Sequence, residues 1–241
     1  GTRLWSDGNN WDLNTLPADG DDVYLGTNGT ASTNLFLATD SAGLNSLTVS
    51  NGVTLTFTNW STRLIATNVT LLSGGTLTCT GAFSDSQMSN RVYAVCSNLF
   101  IAAGGSINVN AGGYAAGGAG SRGNGPGGGA SPGAADYAGG GGYGGKGGNA
   151  YGSLNTTAYG GGMPYGSPTN PVEPGSGGGN NSVGGDYGAG GGAVKIEASG
   201  VVTVDGSISA SGGSRYPGLG GGGSGGSVWI SCYTFAATRG V

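Results

Sequence analysis

The stretch Ser97 to Gly113, SNLFIAAGGSINVNAGG, combines two short alternating runs with a glycine pair between them. Apolar and more polar residues alternate before Gly104 and Gly105, and the alternation resumes after them. A period of two residues is typical of a strand with one buried face. A glycine between two such runs marks a corner where the backbone needs a positive φ. The stretch therefore predicts a strand, a turn and a second strand.

Three other segments carry the same pattern: LNSLTVSNGVTLTF (Leu44 to Phe57), TNVTLLSGGTLTCTG (Thr67 to Gly81) and SGVVTVDGSISASGG (Ser199 to Gly213). Their turn glycines are spaced by 23 residues from Gly52 to Gly75 and by 30 residues from Gly75 to Gly105. Such spacings favour the coils of a β-solenoid, in which each coil buries its face only by stacking on its neighbours. A β-sandwich, the alternative, shows turns every ~8–12 residues without a longer period.

The predicted fold class is therefore all-β, a β-solenoid with almost no α-helix, in which Gly75, Gly105 and Gly206 are structural turn residues. From Gly105 to Gly206 the distance is 101 residues, and most of that interval is rich in glycine. A second repeat follows it, GGGAVKIEA (Gly190 to Ala198) and GGSVWISC (Gly225 to Cys232), whose second strand contains Trp229. We expect a cap and solenoid coils over 1–110, a large insertion packed on the solenoid over 111–192, and resumed strands over 193–241.

The insertion contains YAGGGGYGGKGGNAYG (Tyr137 to Gly152), part of which reads as Gly-Gly-X triplets. A polyproline-II-type helix has three residues per turn, so it would present Tyr143 on one edge and bare glycine on the other two. Bare edges allow neighbouring segments to exchange N–H···O bonds. A disordered linker is the alternative, because ordering each residue costs about 1–2 kcal/mol in backbone entropy. Tyrosines spread through the region, among them Tyr143, Tyr151 and Tyr187, favour the ordered, polyglycine-II-like interpretation.

Composition restricts the partners that the chain can have. Of the 241 residues, 58 are glycine and only 8% are charged, against about 25% in ordinary globular proteins. The formal net charge of −4 argues against nucleic acid as a partner. No apolar run is long enough to span a membrane. Because the chain opens with GTRLWSDG, without methionine or a signal-peptide pattern, we expect a mature or excised segment.

Residues that carry chemistry are scarce. With no histidine, the chain cannot hold a Ser-His-Asp or Cys-His catalytic site or a histidine metal site. No catalytic or cofactor-binding residue is therefore predicted. The one tight carboxylate cluster, Asp19, Asp21 and Asp22, is a weak candidate for Ca²⁺, which prefers oxygen ligands. Its alternative role is a turn at a strand entry, where aspartate accepts backbone N–H bonds.

Two further sets of residues are interpreted as structural. The three cysteines, Cys79, Cys96 and Cys232, are either small buried hydrophobes or one bridge plus a free thiol. In the second case Cys79–Cys96 is the pairing that we consider. Trp5 and Trp11 are interpreted as cap residues that cover the open end of the solenoid core.

The segment LWSDGNNWDLNTLPADGDDVYL (Leu4 to Leu25) resembles the entry segment of large secreted bacterial β-helix proteins of the autotransporter-like and surface kind. The matching residues are Trp5, Asn10, Trp11, Pro17, Gly20, Asp21, Asp22 and Val23. The run GGGSGGSVWIS (Gly221 to Ser231) is similar to glycine-rich strand starts in such proteins, and the Gly-Gly-X triplets resemble the polyglycine-II layers of phage tail-fibre adhesins. The resemblance implies a secreted, extracellular or cell-surface protein that is structural or adhesive.

The function that we expect is non-enzymatic: a subunit or segment of a surface fibre that associates with itself head-to-tail. The chain ends without a cap, and unpaired strand edges at such ends invite pairing or end-to-end stacking. The alternative is an adhesin module that binds cell-surface glycans through exposed Tyr and Asn side chains. A polysaccharide lyase or hydrolase with paired carboxylates is less favoured. Ice binding, from the alternating threonines of VTLTFT (Val53 to Thr58), is remote.

Overall fold

The computed structural model describes residues 2–27, 33–84, 88–133, 136–151, 158–182, 188–214 and 219–237, so Tyr187 lies outside the described residues. These residues are nearly all in strands, turns and extended segments. The helical element that they contain is a single 3-10 turn, Gly8–Asn10. The predicted all-β class with almost no helix is confirmed. Within the described parts of the chain, no helix has the length and apolarity needed to cross a membrane.

The strands are short, and their limits in chain order are β1 Asp22–Leu25, β2 Thr33–Leu37, β3 Leu44–Val49, β4 Val53–Phe57, β5 Leu64–Leu71, β6 Thr76–Cys79, β7 Val92–Ile101, β8 Ser106–Asn108, β9 Ala150–Tyr151, β10 Ala158–Tyr159, β11 Ala193–Ala198, β12 Val201–Val204, β13 Ser207–Ser209, β14 Ser227–Ser231 and β15 Thr234–Ala236. Each of the four repeated segments thus forms a strand, a turn and a strand.

The strands build two parallel sheets: β1 to β8 alternate between them, whereas β11 with β12 and β14 with β15 stay in the larger sheet. The larger sheet runs in the order β1-β3-β5-β7-β11-β14, with β12 paired to β7 and β15 paired to β12. The smaller sheet runs in the order β13-β8-β6-β4-β2. Strands β9 and β10 form a separate antiparallel pair. Neighbours within each large sheet are therefore distant in sequence, since the chain passes through the other sheet before it returns.

The strands stack in register, so equivalent residues of the repeats meet. Asn68 of β5 faces Ser46 of β3 on one side and Asn98 of β7 on the other. The Asn98 side-chain amide donates to the Asn68 side-chain oxygen at 3.0 Å. Between the sheets, every second side chain enters one apolar core, in which Leu47, Phe57 and Leu77 are fully buried. The alternation seen in the sequence is therefore the burial pattern of the strands.

Glycine pairs form the corners, but the two members of a pair have different roles. Gly74 and Gly104 have the positive φ, +78° and +84°, and the Gly74 amide donates to the Gly104 carbonyl at 2.8 Å. Gly75 and Gly105, which we predicted as the turn glycines, have no positive φ. They are needed because a Cβ on Gly75 would lie 2.4 Å from the Val49 carbonyl oxygen, in the neighbouring strand. The positive φ that we expected at each corner lies on the first glycine of the pair.

Gly206 is required for the same reason of close approach. A Cβ at this position would lie 2.2 Å from the Gly105 carbonyl oxygen. Its corner stacks on the corner before β8, and the amide of the next residue, Ser207, donates to Gly105 at 3.1 Å. The spacing between stacked corners thus leaves no room for a side chain.

The cysteines are free thiols, and the Cys79–Cys96 bridge that we considered is not formed. Cys79 ends β6 in the smaller sheet, whereas Cys96 lies in β7 of the larger one. Both side chains point into the core, and burial raises the pKa of Cys79 to about 12 and that of Cys96 to about 11. Each is a small apolar filler of its sheet.

We expect a thiol reagent at pH 8 to label one cysteine per native chain and three per denatured chain. Cys232 is partly exposed, while Cys79 and Cys96 are buried and protonated at that pH. The measurement is a colorimetric thiol titration with and without denaturant, on protein purified without reductant. A bridge between Cys79 and Cys96 would instead leave a single thiol in the denatured chain.

The glycine-rich segments are extended and bond sideways to one another. The Gly142 amide donates to Gly127 at 2.7 Å, and the Gly162 amide donates to Gly140 at 2.8 Å. A similar bond joins Gly141 to Gly222, just before β14, at 2.9 Å. Because bare glycine allows backbones to approach this closely, these segments satisfy their peptide groups without forming a regular ladder.

Aromatic side chains occupy the spaces between these segments. Tyr143 packs edge-on against Tyr165 with ring centroids 5.0 Å apart, and Tyr114 packs in the same way against Phe83 at 5.0 Å. Burial raises the pKa of the Tyr165 phenol, which bonds to the Pro174 carbonyl and to Ser176. Tyr151, by contrast, is exposed on β9.

Candidate functional site

One end of the two sheets is covered by the N-terminal segment. Trp5 is buried, and its amide donates to the Phe36 carbonyl of β2, the edge strand of the smaller sheet, at 2.8 Å. The Trp11 ring lies edge-on to the Trp5 ring at 4.9 Å, and its indole N–H donates to the Trp5 carbonyl at 3.0 Å. Trp5 belongs to the apolar core and Trp11 packs against it.

Three aspartates lie beside this end, and each accepts hydrogen bonds from different groups of the protein. Asp19 accepts the Gly43 amide, Asp21 accepts the Ala18 amide, and Asp22 accepts bonds from the side chains of Ser46 and Asn45. The bonds from Ser46 and Asn45 hold the pKa of Asp22 below its usual value. Among the described residues, no group of three or more acidic, cysteine or histidine side chains could hold a metal ion. The structure does not bring the calcium candidates together.

The opposite end leaves core-facing side chains open. Val228 of β14 lies in register with Val194 of β11, so both point towards the core. Val194 is fully buried, but Val228 is 39% exposed. In the same way Phe235 of β15 is in register with the buried Val202 and is 60% exposed. Strands β14, β15 and β13 are the last in their sheets, so among the described residues no strand pairs beyond them at this end, which we call the open edge.

A row of rings and cations crosses the outer face of the larger sheet, and we call it the cation ladder: Trp60, Arg91, Tyr93, Lys195 and Trp229. The last three lie in register on β7, β11 and β14. The Arg91 guanidinium carbon lies 4.7 Å from the centroids of both the Trp60 and Tyr93 rings. The Lys195 ammonium nitrogen lies 4.5 Å from the Tyr93 centroid and 5.4 Å from the Trp229 centroid. All five side chains are half-buried.

Two ion pairs neutralise the other charges of this face. The Lys195 ammonium lies 2.9 Å from the Glu197 carboxylate, which also accepts a bond from the Tyr93 hydroxyl. That hydroxyl bond, with the contribution of Lys195, lowers the pKa of Glu197. Arg63 pairs with Asp40 at 2.7 Å. The ladder is therefore a set of fixed charges and rings rather than a site with a titrating acid or base.

A shallow groove lies on each side of the ladder along the strand direction. The first groove, of about 590 Å³, is lined by residues that precede β5 and β7, among them Asn59, Trp60 and Met88. The second groove, of about 580 Å³, is lined further along these strands, by Ile65, Val95 and Glu197 among others. Trp60, at one end of the ladder, lines the first groove, and Tyr93 of the ladder bonds to Glu197, which lines the second groove. The ladder therefore lies between the two grooves.

Sequence reasoning placed Trp229 on a strand but missed the rest of the ladder. Trp60, Arg91, Tyr93 and Lys195 lie at different points of the repeats, and Lys195 follows the glycine-rich region. Only the pairing of Tyr93 with Lys195, across that region, brings the rings and cations together. The sequence signal that could have indicated the ladder is an arginine two residues before a tyrosine on an outward strand face.

No protein-family model matches the chain, and searches among curated proteins and among solved structures find no match.

Proposed function

We propose that the chain is a β-solenoid with a glycine-rich, polyglycine-II-like insertion over 111–192. The proposal is supported by the alternation of β1 to β8 between two parallel sheets and by the in-register stacking of their corners. The lateral bonds among glycine segments support the insertion. The divisions at 1–110 and 193–241 follow from the same architecture, because strands of both regions share the same two sheets.

Our proposed function is that of a non-enzymatic structural subunit of an extracellular or cell-surface fibre, which assembles by end-to-end association of its copies. The observation that carries the proposal is the open edge. Full burial of a side chain such as Val228 or Phe235 is worth about 1.5–3 kcal/mol, and an edge strand offers unpaired backbone groups beside it. A second copy of this chain placed on this edge through its strand β1 would continue the larger sheet. The secreted β-helix proteins that the N-terminal segment resembles support the location.

The distribution of charge favours head-to-tail order. Residues 2–27 carry five aspartates and one arginine, a formal charge of −4. The described residues from 193 onward, 193–214 and 219–237, carry one lysine, one glutamate and one aspartate, a formal charge of −1. Two N-terminal ends brought together would therefore repel each other more strongly than an N-terminal end against an open edge. The N-terminal end also has apolar side chains to offer, since Leu4, Leu16 and Tyr24 are exposed there. Strand β1 is an edge strand of the larger sheet at that end.

We expect sedimentation velocity to show dimers and longer species of the wild-type chain, in proportions that rise with protein concentration. The double substitution Val228→Glu and Phe235→Glu should raise the protein concentration needed for association by about tenfold or more, because two carboxylates would be buried against an acidic N-terminal end. Tyr24→Lys, at the other end, should weaken association as well.

The matched control is Tyr151→Glu, which places the same kind of charge at an exposed position on β9. It should assemble like the wild type. A wild-type chain that stays monomeric when concentrated would refute the proposal. If the open-edge variant lost association but Tyr24→Lys did not, the head-to-tail order would be wrong. The chains would then form a pair joined through their two open edges.

A further inference from the structure

Arg91 is the one cation of its cluster whose charge is not compensated by a carboxylate. Arg63 and Lys195 are paired with Asp40 and Glu197 at 2.7 Å and 2.9 Å. Within the described residues, no atom accepts a hydrogen bond from the Arg91 guanidinium, and its Nε is buried without a partner. A buried donor that is left unpaired costs about 1–3 kcal/mol. Since Nε is closed to solvent, an acceptor from outside can reach only the terminal N–H groups of this half-buried side chain.

The guanidinium is also held in place before such an acceptor arrives. The guanidinium carbon lies over the rings of Trp60 and Tyr93, 4.7 Å from each centroid. These contacts leave the terminal N–H groups as the side that can bond. That side presents donors in a fork that matches a carboxylate with two parallel bonds. The pair of rings thus preorganises Arg91 for a planar anion.

The shape of the surface selects an elongated ligand. The first groove lies before β5 and β7, the ladder crosses the starts of these strands, and the second groove lies beyond it. The second groove is lined by residues from β3 to β14, so it runs across the strands beside the ladder. From Trp60, beside β5, to Trp229 on β14, three strand spacings cover about 14 Å. Both grooves are shallow, and hydroxyl and amide groups line them beside the ladder. A ligand laid across the strands, along the ladder, would pass over Arg91 and reach both tryptophans.

We propose that the two grooves and the cation ladder between them bind an acidic oligosaccharide whose sugar rings carry carboxylates. A carboxylate of the ligand bonds to the terminal N–H groups of Arg91, while the apolar faces of the sugar rings lie on Trp60 and Trp229. Hydroxyls of the sugar bond to the polar side chains of the grooves. This site lies on the outer face of the larger sheet, so it is independent of the proposed end-to-end assembly.

The test is calorimetric titration of the full chain, kept below its association range, with a short oligogalacturonate. We expect saturable binding, with quenching of tryptophan fluorescence. A neutral oligosaccharide of the same length, acetate and an acidic peptide should each bind at least about tenfold more weakly, because each lacks either the charge or the ring faces. Equal binding of acetate or tighter binding of the peptide would overturn the assignment, and so would no binding of the oligogalacturonate.

Variants locate the site. Arg91→Gln should weaken oligogalacturonate binding by about tenfold or more, and Arg91→Lys should not restore it, since an ammonium lacks the planar fork. Lys146→Gln, which removes one exposed positive charge elsewhere, is the matched control and should bind like the wild type. If the Arg91 variants do not fold, oligogalacturonate binding is measured with Trp229→Leu, which changes the far side of the ladder. Binding that survives both Arg91→Gln and Trp229→Leu would show that the ladder is not the site.

Discussion

We expect Gly162→Ala to lower the free energy of unfolding by about 3 kcal/mol or more, or to loosen the glycine-rich segments altogether. A Cβ at this position would lie 1.7 Å from the Gly127 carbonyl oxygen and 2.8 Å from the Gly142 amide nitrogen. Both atoms belong to backbone, so neither can rotate away as a side chain would. The segments would have to separate, and the bond from Gly142 to Gly127 would break with them.

Thermal unfolding measures the loss, and amide hydrogen exchange locates it. The matched control is Gly144→Ala in the same glycine-rich stretch, where a Cβ would meet no atom within 4 Å. This variant should be as stable as the wild type, or slightly more stable because alanine restricts the unfolded chain. If Gly162→Ala unfolded at the wild-type temperature with unchanged exchange, the lateral packing of the glycine segments would be wrong.

The second large effect is expected in the core, where Phe57→Ala should cost about 3–5 kcal/mol of stability. Phe57 is fully buried at the end of β4, in register with Leu37 of β2 and Cys79 of β6. Removing the ring leaves a cavity between two stacked strands, and the surrounding backbone is held by its ladder bonds, so the cavity cannot collapse fully. Chemical denaturation followed by far-UV circular dichroism measures the change.

Phe100→Ala is the control for this prediction, because it deletes the same ring from the outward face of β7. Phe100 is 37% exposed, and we expect its removal to cost less than about 1 kcal/mol. Equal losses for the two variants would mean that the inward and outward faces of the strands are assigned incorrectly. If Phe57→Ala left the denaturation midpoint unchanged, the inward face of β4 alone would be assigned incorrectly.

Much of the strand pattern could be predicted, because the alternation is a local property of the chain. The runs on either side of Gly74-Gly75 and Gly104-Gly105 became β5 to β8, with their apolar residues inside. The corner glycines were found, but the positive φ falls on the first of each pair. Sequence alone could not separate the two roles, since the need for the second glycine comes from a neighbouring strand that lies about one repeat away.

The candidate sites were harder to predict than the fold class. Trp5 and Trp11 could be associated with an end because they precede the first alternating run. The carboxylates of Asp19, Asp21 and Asp22 suggested a shared ion, yet each bonds to a different group of the turn and the neighbouring strand. Closeness in sequence did not decide where these side chains point. The direction of each was decided by which donors the next strand placed beside it.

By itself, then, the sequence determined that the chain is all-β, where its strands run and which of their faces are buried, because a period of two is read from neighbouring residues. The tertiary structure alone decided that Tyr93 meets Lys195 and that Lys195 meets Trp229. It also decided that Val228 and Phe235, which read as ordinary strand residues, remain exposed at an edge. These outcomes depend on the register in which the strands after the long glycine-rich segment pair with the strands before it. That register is set by the packing of side chains between distant strands, for which no short stretch of the chain carries a signal.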